Sequence, residues 1–171
     1  IRYTCKHDAA HTRTEDFDFT GIGGTCGKNL TWVYQENAKT LLIQGTGAMN
    51  NYSEDTSPWY SYREEIEKIN MANGATSIGN YAFNNFAGLT EAAIPGSVTT
   101  IGEFAFKSCK NLEEVAIPDR VTSIGPGAFG HCSALKTISL PANLGTIEDY
   151  LFYNCRSLLR IQLPENITSI G

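Results

Sequence analysis

The sequence predicts a solenoid in which short repeats, each with one β-strand and a short helical or 3₁₀ turn, stack behind an N-terminal β-hairpin cap. Three observations support this fold class. The chain repeats every 23 residues from residue 75, three cysteines recur at one position of that repeat, and a segment of different texture precedes it. A fixed period of this length is typical of a unit that buries its apolar face only by stacking on its neighbours.

Composition and charge exclude several classes of partner. Of the 171 residues, 42% are apolar and 18% are charged, as in ordinary folded domains. No segment approaches the roughly 18 consecutive apolar residues of a membrane span, so we expect no direct membrane insertion. The net charge of -5, without a cluster of Lys or Arg, argues against nucleic acid as a partner. Because the chain starts mid-pattern at Ile1 without Met, we expect a fragment flanked by neighbouring domains of a longer chain.

Residues 1–20 are polar and alternate weakly, which favours a surface strand that belongs to a preceding module. Cys5, His7 and His11 form the one plausible metal constellation of the sequence. Their C-x-H-x₃-H spacing lacks the paired C-x₂-C that is typical of zinc sites. We therefore predict no metal and no cofactor. Cys5 and Cys26 could pair with each other or stay free.

Residues 21–65 predict a β-rich cap. Two strand-like runs, at 30–35 and 40–47, flank a short polar turn and indicate a β-hairpin. Several aromatic residues follow, and these could cover the first repeat or stack on sugars or peptides. We favour the cover, with Trp32 and Trp59 as its anchors, because a terminal repeat would otherwise expose core surface to water.

Residues 66–171 form the predicted solenoid. Its copies are residues 75–97, 98–120, 121–143 and 144–166, with a partial copy at 167–171. The apolar residues at 66–73 match the strand of each copy, which predicts a first strand there. Five parallel strands spaced by about 4.8 Å would form a sheet of roughly 20 Å along the stack.

The third copy, VTSIGPGAFGHCSALKTISLPAN, shows how one repeat is built. The alternating apolar residues before Pro141 predict a short strand that the proline ends. A second extended piece precedes Gly125. The spacing of Ala128, Phe129 and Cys132 predicts one helical or 3₁₀ turn that presents its apolar side to the core.

Three cysteines lie at the same position of consecutive copies. Cys109, Cys132 and Cys155 are 23 residues apart, and Phe86 takes that position in the first copy. A position that accepts Phe or Cys is apolar and buried, so these thiols act as small hydrophobic side chains. We predict that they are reduced and stacked in one column, with neither a metal nor a disulfide.

Two residues depart from the repeat. Ala92 replaces a larger aliphatic residue, which predicts a looser first copy, and Glu148 replaces the bend glycine, which predicts a locally different turn in the fourth copy. Because the sequence ends in the partial copy, we expect little cover over the apolar side of the fourth copy. We hypothesise that the fragment is cut from a longer array, or that this end packs against a second molecule.

The repeat resembles a known family. The pattern V-T-x-I-G-x-x-A-F-x-x-C-x-x-L-x-x-I-x-[IL]-P is similar to the BspA-type leucine-rich repeat over residues 66–171. The segment GTCGKNLTWVYQENAKTLLIQGTGAMNNYS resembles the leader that often precedes such repeats. Within residues 1–20, YTCKHDAAHTRTE resembles the end of a small extracellular module that recurs beside them. The resemblance implies a leucine-rich-repeat solenoid in a secreted or surface-attached bacterial protein that binds host matrix proteins or other cells. It implies no catalytic residue.

The leading functional hypothesis is an adhesive module whose outward strand positions contact a protein. Those positions are Glu67, Lys68, Asn70, Thr90, Glu91, Ala93, Glu113, Glu114, Ala116, Lys136, Thr137, Ser139, Leu159, Arg160 and Gln162. The candidate binding residues among them are Glu91, Ala93, Glu113, Glu114, Ala116, Lys136, Thr137, Ser139, Arg160 and Gln162. The alternatives are an ordinary solvated sheet face and a structural spacer between other domains.

An enzyme is the other class to consider. Cys26 with His7 or His11 could be drawn as nucleophile and base, but no third activating group and no glycine-framed oxyanion motif accompanies them. We therefore predict a non-catalytic protein.

Overall fold

The computed structural model of the protein describes residues 22–171, so the predictions for Cys5, His7 and His11 lie outside the described residues. The strands are β1 Ile22–Thr25, β2 Gly27–Gln35, β3 Thr40–Met49, β4 Lys68–Met71, β5 Ala75–Ile78, β6 Glu91–Ala93, β7 Thr100–Ile101, β8 Glu114–Ala116, β9 Ser123–Ile124, β10 Thr137–Ser139, β11 Thr146–Ile147 and β12 Ser169–Ile170. The helical segments of the described chain are two 3₁₀ turns, Glu36–Ala38 and Tyr60–Tyr62.

The N-terminal hairpin forms as the sequence predicts. Strands β2 and β3 pair antiparallel, and the turn between them closes at Lys39, whose φ is 48°. The sequence did not reveal that β1 adds a further antiparallel strand to β2, nor that β3 pairs in parallel with both β4 and β5. The hairpin is therefore hydrogen-bonded to the first strands of the repeat region.

The repeats stack in parallel, in the register of the 23-residue period. Ile69 of β4 lies opposite Ala92 of β6, and Val115 of β8 lies opposite Ile138 of β10. Strands β5, β7 and β9 form a second ladder from the shorter extended piece of each copy. Strand β4 lies within the predicted first strand at 66–73, which confirms that prediction.

The predicted helical or 3₁₀ turn in each copy is wrong. These segments are consecutive non-helical turns, in which two positions per copy have positive φ, for example Phe104 at 51° and Ser108 at 63°. Alternate N–H groups point out of the copy, and Phe106 donates to the carbonyl oxygen of Ala128 in the next copy at 2.8 Å. A helix would direct these N–H groups along its own axis. The turns instead form a third ladder between neighbouring copies.

The prediction of a continuous five-stranded sheet is also wrong. Strands β6 and β8 are not paired with each other, and this gap lies beside the small Ala92, which is half-buried. The fifth strand is not formed, so Arg160 and Gln162 lie in an irregular segment, beside Leu159, which is 88% exposed.

Glu148 provides a physical reason why the ladder of β5, β7 and β9 does not continue to β11 in the fourth copy. At the equivalent position of the third copy, a Cβ on Gly125 would lie 2.6 Å from the backbone nitrogen of Glu103. A side chain at this bend therefore prevents the close approach that the glycines allow. Gly125 donates its N–H to Ile101, whereas among residues 22–171 no such bond joins Glu148 to Ile124, and β9 and β11 are not paired with each other. The turn that follows Glu148 keeps the form of the other copies, with positive φ at Tyr150 and Asn154, so the predicted difference in that turn is wrong. What differs is the lost hydrogen bond at Glu148.

Stacked aromatic rings form the centre of the core. Trp59 continues a column of four phenylalanines, whose neighbouring ring centroids are 5.2 to 6.2 Å apart. The four are Phe83, Phe106, Phe129 and Phe152. Trp59 is fully buried, and its indole Nε1 donates to the carbonyl oxygen of Ala82 at 2.7 Å. The aromatic segment that follows the hairpin thus packs on the first copy through this residue.

The cysteine column is buried as predicted. The side chains of Cys109 and Cys132 are 0% exposed, that of Cys155 is 9% exposed, and all three are free thiols. Each Sγ also donates to a carbonyl oxygen of the preceding copy, at 3.0 to 3.2 Å. The thiols therefore connect neighbouring copies as well as filling space.

Candidate binding face

The binding face, defined as the outward positions of β4, β6, β8 and β10 with the residue preceding each strand, is open to solvent. All ten candidate binding residues are exposed, whereas the inward Val115 and Ile138 are 4% and 8% exposed. Eight of the ten lie on this face. The other two, Arg160 and Gln162, are exposed in the irregular segment and do not continue it. The inward and outward phases derived from the repeat therefore agree with the structure over β6, β8 and β10.

Charged side chains on the binding face pair with one another across the strands. Lys68 contacts Glu91 at 3.0 Å, and Lys136 contacts Glu113 at 2.7 Å. Each of these four side chains is more than half exposed, so the pairs contribute little to stability. Because both pairs join residues 23 apart, opposite charges at the repeat spacing are the sequence signal that would have revealed them.

The hairpin extends this face by one strand. Lys39, next to β3, forms an ion pair with Glu67, and this hydrogen bond raises the pKa of the Lys39 ammonium. Thr40 of β3 lies opposite Lys68 of β4. A face predicted from the repeats alone therefore omits the residues of β3 and Lys39.

Small residues form a shallow stripe along the face. Ala93 lies opposite Asn70 in the β4–β6 pair, and Ser139 lies opposite Ala116 in the β8–β10 pair. Glu114 lies beside this stripe and has no ion-pair partner within 4 Å among residues 22–171. The face thus combines a stripe of small side chains with one unpaired carboxylate.

Reactive groups are unfavourably placed for nucleophilic chemistry. Cys26 is 0% exposed, and burial raises the pKa of its thiol to about 12. Burial likewise raises the pKa of Cys109 well above its usual value. Because a thiolate is the nucleophilic form, neither residue is primed for attack at neutral pH. Within 22–171 there is no group of three or more His, Cys, Asp or Glu side chains that could hold a metal ion.

The described part of the chain contains no helix that is long and apolar enough to cross a membrane.

Comparison with known proteins places these features in a family. The sequence model described as the BspA-type leucine-rich repeat region matches six copies over residues 57–171. This range begins nine residues before the solenoid that the sequence predicts at 66–171. No curated protein matches the chain.

Solved structures share the fold. A leucine-rich repeat protein from Eubacterium ventriosum is 30% identical, with a TM-score of 0.77 over 88% of this chain and 40% of its own. A leucine-rich cell surface protein from Faecalibacterium prausnitzii is 21% identical, with a TM-score of 0.62 over 85% of this chain and 38% of its own. A leucine-rich repeat protein from Treponema pallidum is 23% identical, with a TM-score of 0.55 over 86% of this chain and 85% of its own. The chain thus spans about two fifths of the length of the Eubacterium protein.

Proposed function

The chain belongs to the BspA-type leucine-rich repeat family, and from that premise we propose that it is a non-catalytic adhesion module of a bacterial surface protein. Repeats of this family are generally protein-binding modules. We propose that the binding face contacts a host matrix protein or a protein on another cell. The observation that supports this most is an open face of parallel strands with a small-residue stripe between charged side chains.

The rigidity of the face favours binding. Its strands belong to parallel ladders that pack over a core with a buried aromatic column. A preorganised surface loses little conformational entropy when a partner docks. The charged side chains of the face contribute mainly to the choice of partner and to the association rate.

We also propose that residues 21–65 cap the repeat region at 66–171. Trp32 packs edge-on against Trp59 at 5.7 Å between ring centroids, and Trp59 stacks on Phe83 at 5.6 Å. These contacts cover the side of the first copy that no preceding copy covers. The burial of Trp59 argues against the alternative in which this aromatic is an exposed sugar or peptide site.

The test is binding to purified matrix proteins. Immobilised collagen, laminin and fibronectin would be probed with the protein and with Ala116→Arg, which places a long cation in the small-residue stripe. The matched control is Ala142→Arg, at an exposed turn outside the face. We expect Ala116→Arg to weaken binding by at least about tenfold, since it blocks close approach at the centre of the contact. Ala142→Arg should change it by less than about twofold.

Two results would contradict the proposal. If neither the three matrix proteins nor whole cells bind the protein, a structural spacer becomes the better description. If both arginine variants bind as well as the parent protein, the module binds through another surface. Rapid labelling of Cys26 by a thiol reagent at neutral pH would reopen the question of an enzyme.

A further inference from the structure

A groove lies along the ladder of β5, β7 and β9, which is not the ladder that forms the binding face. Its volume is about 450 Å³, within the range of about 300–1,000 Å³ that is typical of ligand sites. Its lining begins at the end of β3 and continues through three copies. The groove is therefore elongated along the stack, and an extended ligand would contact several copies at once.

Successive copies contribute equivalent residues to this groove. A hydroxyl residue of each strand lines it, and these residues are neighbours in the parallel register: Ser77, Thr100 and Ser123. Two positions further along the chain, Gly102 and Gly125 contribute no side chains, which leaves the groove open between its two sides. In the fourth copy the exposed Glu148 replaces this glycine. The open floor therefore ends at the fourth copy.

Asparagine side chains on the other side of the groove provide hydrogen-bond donors. Asn51 Oδ1 accepts the N–H of Asn80 at 3.0 Å, and Asn80 Oδ1 accepts the N–H of Glu103 at 3.0 Å. The two amide oxygens thus connect neighbouring layers of the stack. Each Nδ2 group carries two N–H donors of its own. This side of the groove can therefore donate hydrogen bonds to the carbonyl oxygens of a ligand.

The carboxylate of Glu103 is left without a backbone partner of this kind. The equivalent residue of the next copy is Pro126, which has no N–H to donate. Among residues 22–171, no cationic side chain lies within 4 Å of Glu103, which is also the one charged residue in the described lining. Burial raises the pKa of the neighbouring Tyr81, and the charges of Glu103 and Glu54 raise it further. The groove therefore carries negative charge that no cation offsets.

A second carboxylate lies two copies further along the same side. Phe104 donates its N–H to Pro126 and Gly127 donates to Asp149, so the positions of Glu103, Pro126 and Asp149 follow one another in neighbouring copies. Asp149 is exposed and has no ion-pair partner within 4 Å in the described part of the chain. At about 4.8 Å per copy, Glu103 and Asp149 are about 10 Å apart along the stack. In a polyproline II segment, residues three apart lie on one face at about 9 Å.

We propose that this groove binds an extended basic peptide, a segment of a protein with two Lys or Arg side chains three residues apart. Glu103 and Asp149 bind the two cations, and the Nδ2 groups of Asn51 and Asn80 donate to carbonyl oxygens of the peptide. A polyamine has the cations but no carbonyl oxygens, and a neutral sugar chain has no cations. The groove is separate from the binding face, so this proposal does not depend on the function proposed for that face.

The direct test is a titration of the protein with short capped peptides, followed by the amide NMR shifts of residues 100–103 and 123–125. The first peptide has seven residues, with lysine at its third and sixth positions and alanine or proline elsewhere. The second has the same composition with adjacent lysines, and the third has glutamine in place of both lysines. Spermidine is the fourth probe, because it represents a polyamine.

We expect saturable binding of the first peptide in the high micromolar to millimolar range. The glutamine peptide should bind about 4-fold or more weakly, the effect of losing two exposed charge pairs. The peptide with adjacent lysines should bind about 2-fold or more weakly, because it reaches one carboxylate at a time. The preference for lysine should shrink as salt is added, since exposed charges are screened.

Substitutions separate charge from shape. Glu103→Gln should weaken the first peptide about 2- to 5-fold and leave the glutamine peptide unchanged. The matched control is Glu165→Gln, an exposed glutamate outside the groove that also has no ion-pair partner within 4 Å among residues 22–171. Ser123→Tyr should fill the groove and weaken both peptides about tenfold. Its control is Thr122→Tyr, at the neighbouring exposed position that does not line the groove.

Three outcomes would overturn the proposal. Equal weakening by Glu103→Gln and Glu165→Gln would mean that the peptide is attracted by the net charge of the protein alone. Tighter binding of spermidine than of the first peptide, with the same shifts, would assign the groove to a polyamine. The absence of shifts at residues 100–103 and 123–125 with every probe would exclude the site. Thermal melts of each variant establish that a loss of binding is not a loss of folding.

Discussion

Replacing Phe129 by alanine tests the aromatic column that joins the copies. The Phe129 side chain is fully buried, with its ring stacked on Phe106 at 5.4 Å and an interplanar angle of 2°. Phe152 lies on its other side at 6.2 Å. The substitution therefore removes a ring with partners in both neighbouring copies and leaves a cavity where three copies meet.

The expected loss follows from these contacts. A buried Phe→Ala change costs about 3–5 kcal/mol, and each stacked ring adds about 0.5–1.5 kcal/mol beyond the buried area. With two ring partners, Phe129 belongs at the upper end, about 4–5 kcal/mol. Phe152→Ala is the matched comparison, because Phe152 is only partly buried and stacks on one ring. We expect it to cost about 1.5–3 kcal/mol.

Urea unfolding followed by circular dichroism measures the difference. The free energy of unfolding comes from the midpoint and the slope m, and thermal melts should show Phe129→Ala lower by roughly 8–20 °C. Glu114→Ala, on the exposed face, is the control and should change the free energy by less than about 0.5 kcal/mol. Equal losses for Phe129→Ala and Phe152→Ala would refute the idea that stability comes from rings with partners on both sides.

Three further predictions concern single positions or segments. Burial raises the pKa of Cys155 from 9.0 to about 12. The stabilisation linked to this shift is therefore fully present below pH 9 and is lost as the pH rises toward 12. In urea unfolding, the free energy of unfolding of Cys155→Val should fall less between pH 8 and 10.5 than that of the parent protein. An equal fall in the two proteins would contradict this prediction. Gly125→Ala should destabilise by about 1–3 kcal/mol, because its Cβ would clash with backbone, whereas Gly145→Ala should be neutral or slightly stabilising in the same assay. Amide hydrogen exchange should be faster in residues 158–163 than in β8, and equal protection would mean that this segment is held like a strand.

The sequence predicted the core because the 23-residue period brings equivalent residues to the same place in every copy. The sequence placed Phe129, Cys132 and Ile138 on the inside from the 23-residue spacing alone, and all three are buried. It predicted the wrong turn because the spacing of Ala128, Phe129 and Cys132 also fits a helix. The observed turn needs positive φ at residues such as Phe104, which L-residues rarely adopt. Bonds to the next copy stabilise that conformation, and no single repeat reveals them.

For the candidate site, the sequence predicted exposure better than it predicted contacts. The outward positions of β8 and β10 follow from strand alternation, as the exposure of Ala116 and Ser139 confirms. The pairing of Lys136 with Glu113 depends on side-chain reach as well as register. Arg160 has the same place in the repeat as the strand residue Thr137, yet it lies outside any strand, and the repeat pattern does not reveal this difference. Whether the face binds a protein stays a prediction.

In a repeat protein, specificity must come from the positions where the copies differ. The phenylalanine column is the same in four consecutive copies because every copy needs the same internal contact. A surface made of identical copies would present the same group at every step and would fix no register for a partner. The double glycine at 127 and 130 breaks one surface column once, at a defined height along the stack. Because the core beneath it is unchanged, such a substitution alters the surface at one copy at little cost to the fold.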